Sequence, residues 1–225
     1  MGAPNQFKDA ARDQSSLLAP LEKKALVWMA RRLPAWINSD HLTLLGFVGM
    51  SLAGLCYWLA RWNRLALLAV IFSLAVNWFG DSLDGTLARL RNRQRPRYGF
   101  YVDHIADAFG TLFLLLGMAF SGYMTEWVGV GLLILYMMLS IQSYLAAYAL
   151  GTFQLSFWKF SPTELRLLLV AGNLALLFRP VVRLFGGHYR LFDVGGVIGM
   201  AGMSLMLVVF SIRNTRALYR AEPLP

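Results

Sequence analysis

From His41 to Ile212 the chain falls into six long apolar stretches that nearly exclude charge, near 41–60, 65–85, 103–123, 127–150, 164–184 and 193–212. Each is long enough to cross a hydrocarbon core of about 30 Å. Apolar residues make up 57% of the chain and charged residues 15%, against about 45–50% and about 25% in soluble domains. Bilayer-spanning helices account for both departures. The single cysteine, Cys56, lies inside one stretch, which excludes an intrachain disulfide and a cysteine zinc cluster.

Residues 1–17 are polar and read as a flexible segment, with no cleavable signal peptide expected. From 18 to 36 the pattern is amphipathic: Leu21, Leu26, Val27, Met29 and Ala30 alternate with Glu22, Lys23, Lys24, Arg31 and Arg32, and Pro34 ends or kinks the helix. The expected fold is therefore an all-α integral membrane protein, a six-transmembrane-helix bundle preceded by an amphipathic juxtamembrane surface helix. Residues 37–212 would form the membrane domain and 213–225 a basic tail.

The net charge of +9 is better explained by topology than by nucleic-acid binding, which is set aside. With the N-terminus in the cytoplasm and six spans threaded, sixteen Lys and Arg residues fall on the cytoplasmic side and five (Arg61, Arg64, Arg179, Arg183, Arg190) on the other. This positive-inside bias predicts cytoplasmic termini in an inner or plasma membrane, with membrane lipid as a partner.

Acids appear where such helices should be apolar. The second span ends Asp81-Ser82-Leu83-Asp84-Gly85 and the third opens on Asp103-His104-Ile105-Ala106-Asp107. Asp81 and Asp84 are three apart and Asp103 and Asp107 four apart, so each pair shares a helix face. A short basic loop makes the helices antiparallel neighbours, and four carboxylates can converge near one membrane surface. They would repel unless a cation neutralised them. Oxygen donors without His or Cys partners favour Mg²⁺, Mn²⁺ or Ca²⁺ over zinc, and two ions clamping a phosphoryl transfer is one arrangement such a site allows. Gly85, Ala88 and Gly99 are small enough for a ligand to approach the backbone. Arg89 can meet a phosphate.

Asp81-x2-Asp84-Gly85-x2-Ala88-Arg89 followed by Gly99-x3-Asp103-x3-Asp107 resembles the signature of the CDP-alcohol phosphotransferases, membrane enzymes of phospholipid synthesis. The spacer between Arg89 and Gly99 is one residue longer than the family's. The resemblance implies Asp81, Asp84, Asp103 and Asp107 as ligands of Mg²⁺ or Mn²⁺, a pair of ions in the family pattern, with Asp107 also the general base. It implies a CDP site at Asp84, Gly85, Ala88, Arg89 and Gly99. Thr43 and Asp40, which stands where the family has Asn, extend that site. It further implies a homodimer, a CDP-linked donor (CDP-diacylglycerol first, with CDP-choline or CDP-ethanolamine onto diacylglycerol as the alternative) and an alcohol acceptor, with release of CMP.

Ser161-Pro162-Thr163-Glu164-Leu165-Arg166 opens the fifth span, and Glu164 and Arg166 are candidate acceptor-binding residues. The basic loop 89–97 reads chiefly as a topology and lipid signal. His104 reads as structural. Gly195, Gly196, Gly199 and Gly202 mark close helix packing or a subunit interface. A cation transporter using the aspartates is the rival of another class. It requires polar residues deep in several spans.

Overall fold

The computed structural model describes residues 19–151 and 162–222. Helix α1 (Ala19–Ala30) is followed by turns over 31–38 and then by α2 (Ser39–Ala60), α3 (Ala66–Leu90), α4 (Pro96–Phe120), α5 (Glu126–Leu150), α6 (Pro162–Phe178) and α7 (Leu191–Ala221). The chain is a multi-pass, all-helical membrane protein: α2, α3, α4, α5 and α7 are each long and apolar enough to cross a bilayer. Helix α6 has 17 residues, about 26 Å at 1.5 Å per residue, and is interrupted by Arg166 and Asn173.

The helix ends are written in local chemistry. Asn38 and His41 cap α2 reciprocally: the Asn38 side chain accepts from His41 N–H at 3.0 Å, and His41 Nδ1 accepts from Asn38 N–H at 3.3 Å. His41 thus stands where a capping box usually has Glu or Gln. At the end of α3, Asn92 takes a left-handed φ of 52°. Arg93 N–H then reaches Ala88 O at 2.9 Å and Asn92 N–H reaches Arg89 O at 3.2 Å, the Schellman pattern. Pro96 opens α4 as a first-turn proline should. The sharp stop and immediate restart make α3 and α4 antiparallel neighbours.

Several expectations need correction. Helix α3 runs to Leu90 and α4 starts at Pro96, so the aspartates lie inside continuous helices rather than at their ends. Lys and Arg do not stop a helix; only Asn92 and Pro96 do. The stretch 164–184 is not one helix. Helix α6 stops at Phe178, ahead of Pro180, which lacks an N–H and disfavours helix at the residue before it. Val181–Leu184 then pairs antiparallel with Gly187–Arg190, turning through Phe185 and Gly186, both at positive φ, as a two-residue hairpin turn demands. The all-α expectation therefore gains one small hairpin. The tail from 213 is helical through Ala221, a continuation of α7. Residues 1–18, 152–161 and 223–225 lie outside the described residues, and with them the reading of the 1–17 segment and Ser161.

Packing is tight where glycines meet. A Cβ on Gly54 would lie 2.2 Å from Phe113 O, and one on Gly117 2.0 Å from Gly54 O, so α2 and α4 touch backbone to backbone. Gly49 and Gly80 do the same for α2 and α3. In α7, Gly196 and Gly199 face Val128 and Leu132 of α5 within the chain, while Gly195 and Gly202 face open space. One apolar core joins Tyr57, Leu67, Leu74, Leu114, Met118 and Leu176. A second, smaller one seats α1: Leu26 and Ala30 pack on Leu42, Leu83 and Leu87. Helix α1 is thus docked on the bundle, with Trp28 on its exposed side.

Candidate active site

Asp81 and Asp84 ride on α3, Asp103 and Asp107 on α4. The antiparallel pairing brings carboxylate oxygens of Asp81, Asp103 and Asp107 within 4.8 Å of one another, all three half-buried. Three like charges so close favour a divalent cation or a retained proton. The donor set is all oxygen, which suits Mg²⁺ or Mn²⁺. A small cavity of about 10 Å³ opens between α2, α3 and α4 beside these oxygens. Its walls are kept narrow by Gly46, Ala106 and Gly110, leaving room for about one water-sized occupant.

The fourth carboxylate is not in this cluster. Asp84 Oδ2 accepts from Thr43 Oγ1 at 2.7 Å, and its Oδ1 from Gly85 N–H at 2.5 Å. The expected convergence of all four is therefore three plus one: Thr43, on the neighbouring helix α2, draws Asp84 aside. Thr43, predicted from sequence for the CDP site, is thus joined directly to an aspartate.

Arg166 is buried and hydrogen-bonded within the bundle. Its Nε donates to Asn77 Oδ1 at 2.7 Å and one terminal nitrogen to Asp81 Oδ2 at 2.5 Å. Asn77 in turn donates to Gly46 O at 2.9 Å. A polar chain thus runs from α2 through Asn77 and Arg166 to Asp81. Burying a guanidinium is tolerated only when paired and hydrogen-bonded in this way. Glu164 is half-buried in the first turn of α6, two residues after the described segment resumes. Sequence reading missed Asn77, although an amide in mid-span is a signal in itself.

The outer rim carries the remaining candidates. Arg89 is exposed, donates to Thr86 Oγ1 at 3.3 Å, and lies over Gly85, where a Cβ would meet its guanidinium at 3.3 Å. Ala88 is half-buried beside it. Gly99 is exposed with open space where a side chain would stand. Asp40 forms an exposed ion pair with Arg95, whose guanidinium also covers the Tyr98 ring at 4.1 Å. Such a pair contributes little by itself.

The basic loop is not only a charge signal. The Arg91 guanidinium donates to Leu33 O at 2.9 Å, to Pro34 O at 3.0 Å, and to Ala35 O and Ile37 O. It gathers the carbonyls of the turn between α1 and α2. His104 is structural, as read: buried, its Nδ1 2.6 Å from Phe100 O and its ring edge-on to Tyr144. Tyr144 and Tyr136 of α5 flank Asp107 closely enough to feel its charge, and neither was singled out from sequence.

The model of one family, CDP-alcohol phosphatidyltransferase, matches residues 36–211. The match takes in α2 to α7 nearly whole, including every aspartate of the site. The chain therefore belongs to that family, and it is a transferase of phosphate-linked groups from CDP-alcohols.

Proposed function

We propose that this CDP-alcohol phosphatidyltransferase moves a phosphatidyl group from CDP-diacylglycerol to the hydroxyl of a polar alcohol, releasing CMP, in phospholipid synthesis. The observation that carries the reading is the carboxylate triad of Asp81, Asp103 and Asp107, within 4.8 Å, at one end of an apolar bundle. Asp81, Asp84, Asp103 and Asp107 would hold Mg²⁺ or Mn²⁺, two ions in the fullest version. Bound there, the metal supplies charge neutralisation for the pyrophosphate and for the departing CMP.

The chain's own groups supply the rest. Asp107 accepts the acceptor's hydroxyl proton as its oxygen bonds to the β-phosphorus and the bond to the CMP oxygen breaks. Thr43 holds Asp84, and Arg166 holds Asp81, fixing both before substrate arrives. Gly85, Ala88 and Gly99 leave the backbone open to the nucleotide, and Arg89 meets its phosphate. Asp40, at the same rim, would border that nucleotide site. Glu164, in α6, stands on the acceptor side with the buried Arg166 behind it.

In this reading α6 is the fifth of six spans, α1 lies along the membrane surface, and the site opens to the cytoplasm with both termini, in an inner or plasma membrane. A homodimer would use the exposed faces of the bundle. Among the described residues the core beyond the site is mainly apolar, its buried Asn173 paired with Tyr57, which speaks against the transporter reading.

CMP release decides the matter. Purified protein with Mg²⁺ or Mn²⁺ is offered CDP-diacylglycerol with a panel of polar alcohols, and CDP-choline or CDP-ethanolamine with diacylglycerol in a second arm. Release is expected in the first arm and is lost with chelator. Asp107→Asn should lower it by about 10²–10⁴-fold, the range of general-base catalysis. Release confined to the second arm would reverse the donor assignment. No release from any pair would end the proposal.

A further inference from the structure

We propose that Glu22 of α1 is a positioning residue for the aspartate site, reaching it through the seam between α3 and α6. This rests on the reading of the triad as a metal site. Glu22, Leu26 and Ala30 are four apart and share the face of α1 that docks on the bundle. Leu26 and Ala30 supply apolar contact. Glu22 does something different: its Oε1 accepts two hydrogen bonds at once, from Trp78 Nε1 at 2.9 Å and from Thr163 Oγ1 at 2.7 Å.

The two donors are on different helices, and each stands three residues ahead of a site residue. Trp78 precedes Asp81 on α3. Thr163 precedes Arg166 on α6. Glu22 therefore bridges the same two helices one turn away from the Arg166–Asp81 ion pair. The seam has two polar rungs, Trp78–Glu22–Thr163 and the grip of Arg166 on Asn77 and Asp81. The first rung holds the opening turn of α6 in register with α3. The second depends on that register, because Arg166 must meet Asn77 and Asp81 together at 2.7 and 2.5 Å. Helix α6 packs chiefly on α3 and only lightly on α7.

A helix whose sole task was to dock on the bundle would be served by Leu26 and Ala30. A carboxylate on that face is costly to desolvate unless its bonds are made. Here both bonds fall on one oxygen, which gives a sharp test. Glu22→Gln keeps an acceptor oxygen for both donors, while Glu22→Ala removes it. Thr163→Val removes one donor and leaves the carboxylate; Thr163→Ser keeps it.

The measurement is Mn²⁺ binding to the full-length protein in lipid nanodiscs, followed by the electron paramagnetic resonance of free Mn²⁺, with thermal unfolding recorded in parallel. Glu22→Ala should weaken Mn²⁺ binding about tenfold and Thr163→Val less, while Glu22→Gln and Thr163→Ser stay within about threefold of the parent, the scale of charge-assisted against neutral hydrogen bonds. The double variant Glu22→Ala/Thr163→Val should bind like Glu22→Ala alone. Parent-like Mn²⁺ affinity in Glu22→Ala, whatever its melting temperature, would overturn the proposal and leave Glu22 as a docking residue. Should Glu22→Ala fail to fold, unchanged affinity in Thr163→Val overturns it equally. If the parent itself binds no Mn²⁺, the metal reading of the triad falls, and this inference with it. That outcome is distinct from a binding parent with indifferent variants.

Discussion

Gly80→Ala should cripple the enzyme while barely unfolding it. Gly80 lies where α3 crosses α2, and an added Cβ would stand 2.4 Å from Gly46 N, 2.5 Å from Leu42 O and 2.7 Å from Gly46 Cα. All three atoms are backbone, so no side chain can swing away. Ordinary contact begins at 3.4 Å; moving from 2.4 to 3.4 Å requires the two helices to part by about 1 Å. Overpacking of this kind costs about 1–3 kcal/mol, and replacing glycine in a helix returns about 1 kcal/mol. The net loss of stability is then small, about 0–2 kcal/mol. Activity is another matter. The next residue is Asp81, and Gly46 O anchors Asn77, which positions Arg166 on Asp81. Four residues before Gly46 the same α2 face carries Leu42, and Thr43 beside it holds Asp84. A displacement of about 1 Å at reacting groups costs about 10²-fold in rate. The assay is CMP release per folded molecule, beside a thermal melt. Gly202→Ala, whose Cβ would meet nothing within 4 Å, is the control and should match the parent in both. Activity of Gly80→Ala within about twofold of the parent would refute the claim that this crossing sets the site's geometry.

Two further outcomes follow from single hydrogen bonds. Thr43→Val removes the hydroxyl on Asp84 and should lower CMP release about tenfold, with Thr43→Ser close to the parent, as expected for one bond to a charged group. At the opposite end of the bundle, Asp193 accepts from Thr125 N–H and Thr125 Oγ1, both at 2.6 Å, so it supplies the cap that α5 lacks from its own Thr125 side chain. Asp193→Ala should cost about 1–2 kcal/mol by melting, the scale of a lost helix cap, with CMP release per folded molecule unchanged.

The membrane class and the aspartates were legible because each is a local property: hydropathy sums over a window, and shared-face spacing depends only on helical geometry. What failed were judgements that need a competing element to be known. The sequence reading carried the fifth stretch through Pro180 because Val181, Val182 and Leu184 are apolar, yet the residue pair at the Phe185–Gly186 turn makes them a hairpin. It ended α3 at Gly85 on the strength of charge, although Arg89 and Arg91 are good helix formers and Asn92 is the stop. Arg91 and Arg166 show the deeper limit. Both were read by their charge, one as a topology signal and one as an acceptor contact. Each is also fixed by partners far along the chain, Leu33 to Ile37 in the first case and Asn77 and Asp81 in the second. No periodicity reports such a pairing.

That contrast explains how an acid cluster is held inside apolar helices. Two of the carboxylates are held by groups borrowed from outside the α3–α4 hairpin: Asp84 by the Thr43 hydroxyl of α2, Asp81 by the Arg166 guanidinium of α6. Those donors are themselves held by backbone, Thr43 Oγ1 also reaching Ser39 O at 3.0 Å and Arg166 tied through Asn77 to Gly46 O. Glycines at 46, 49 and 80 bring the helices close enough for these short bonds to form. The motif residues supply the chemistry, and their mutual positions are set by residues that no motif contains. Two chains sharing every aspartate could therefore differ widely in metal affinity if they differed at Asn77, Arg166 or Gly46, because a carboxylate that is free to rotate must first be ordered before it can bind.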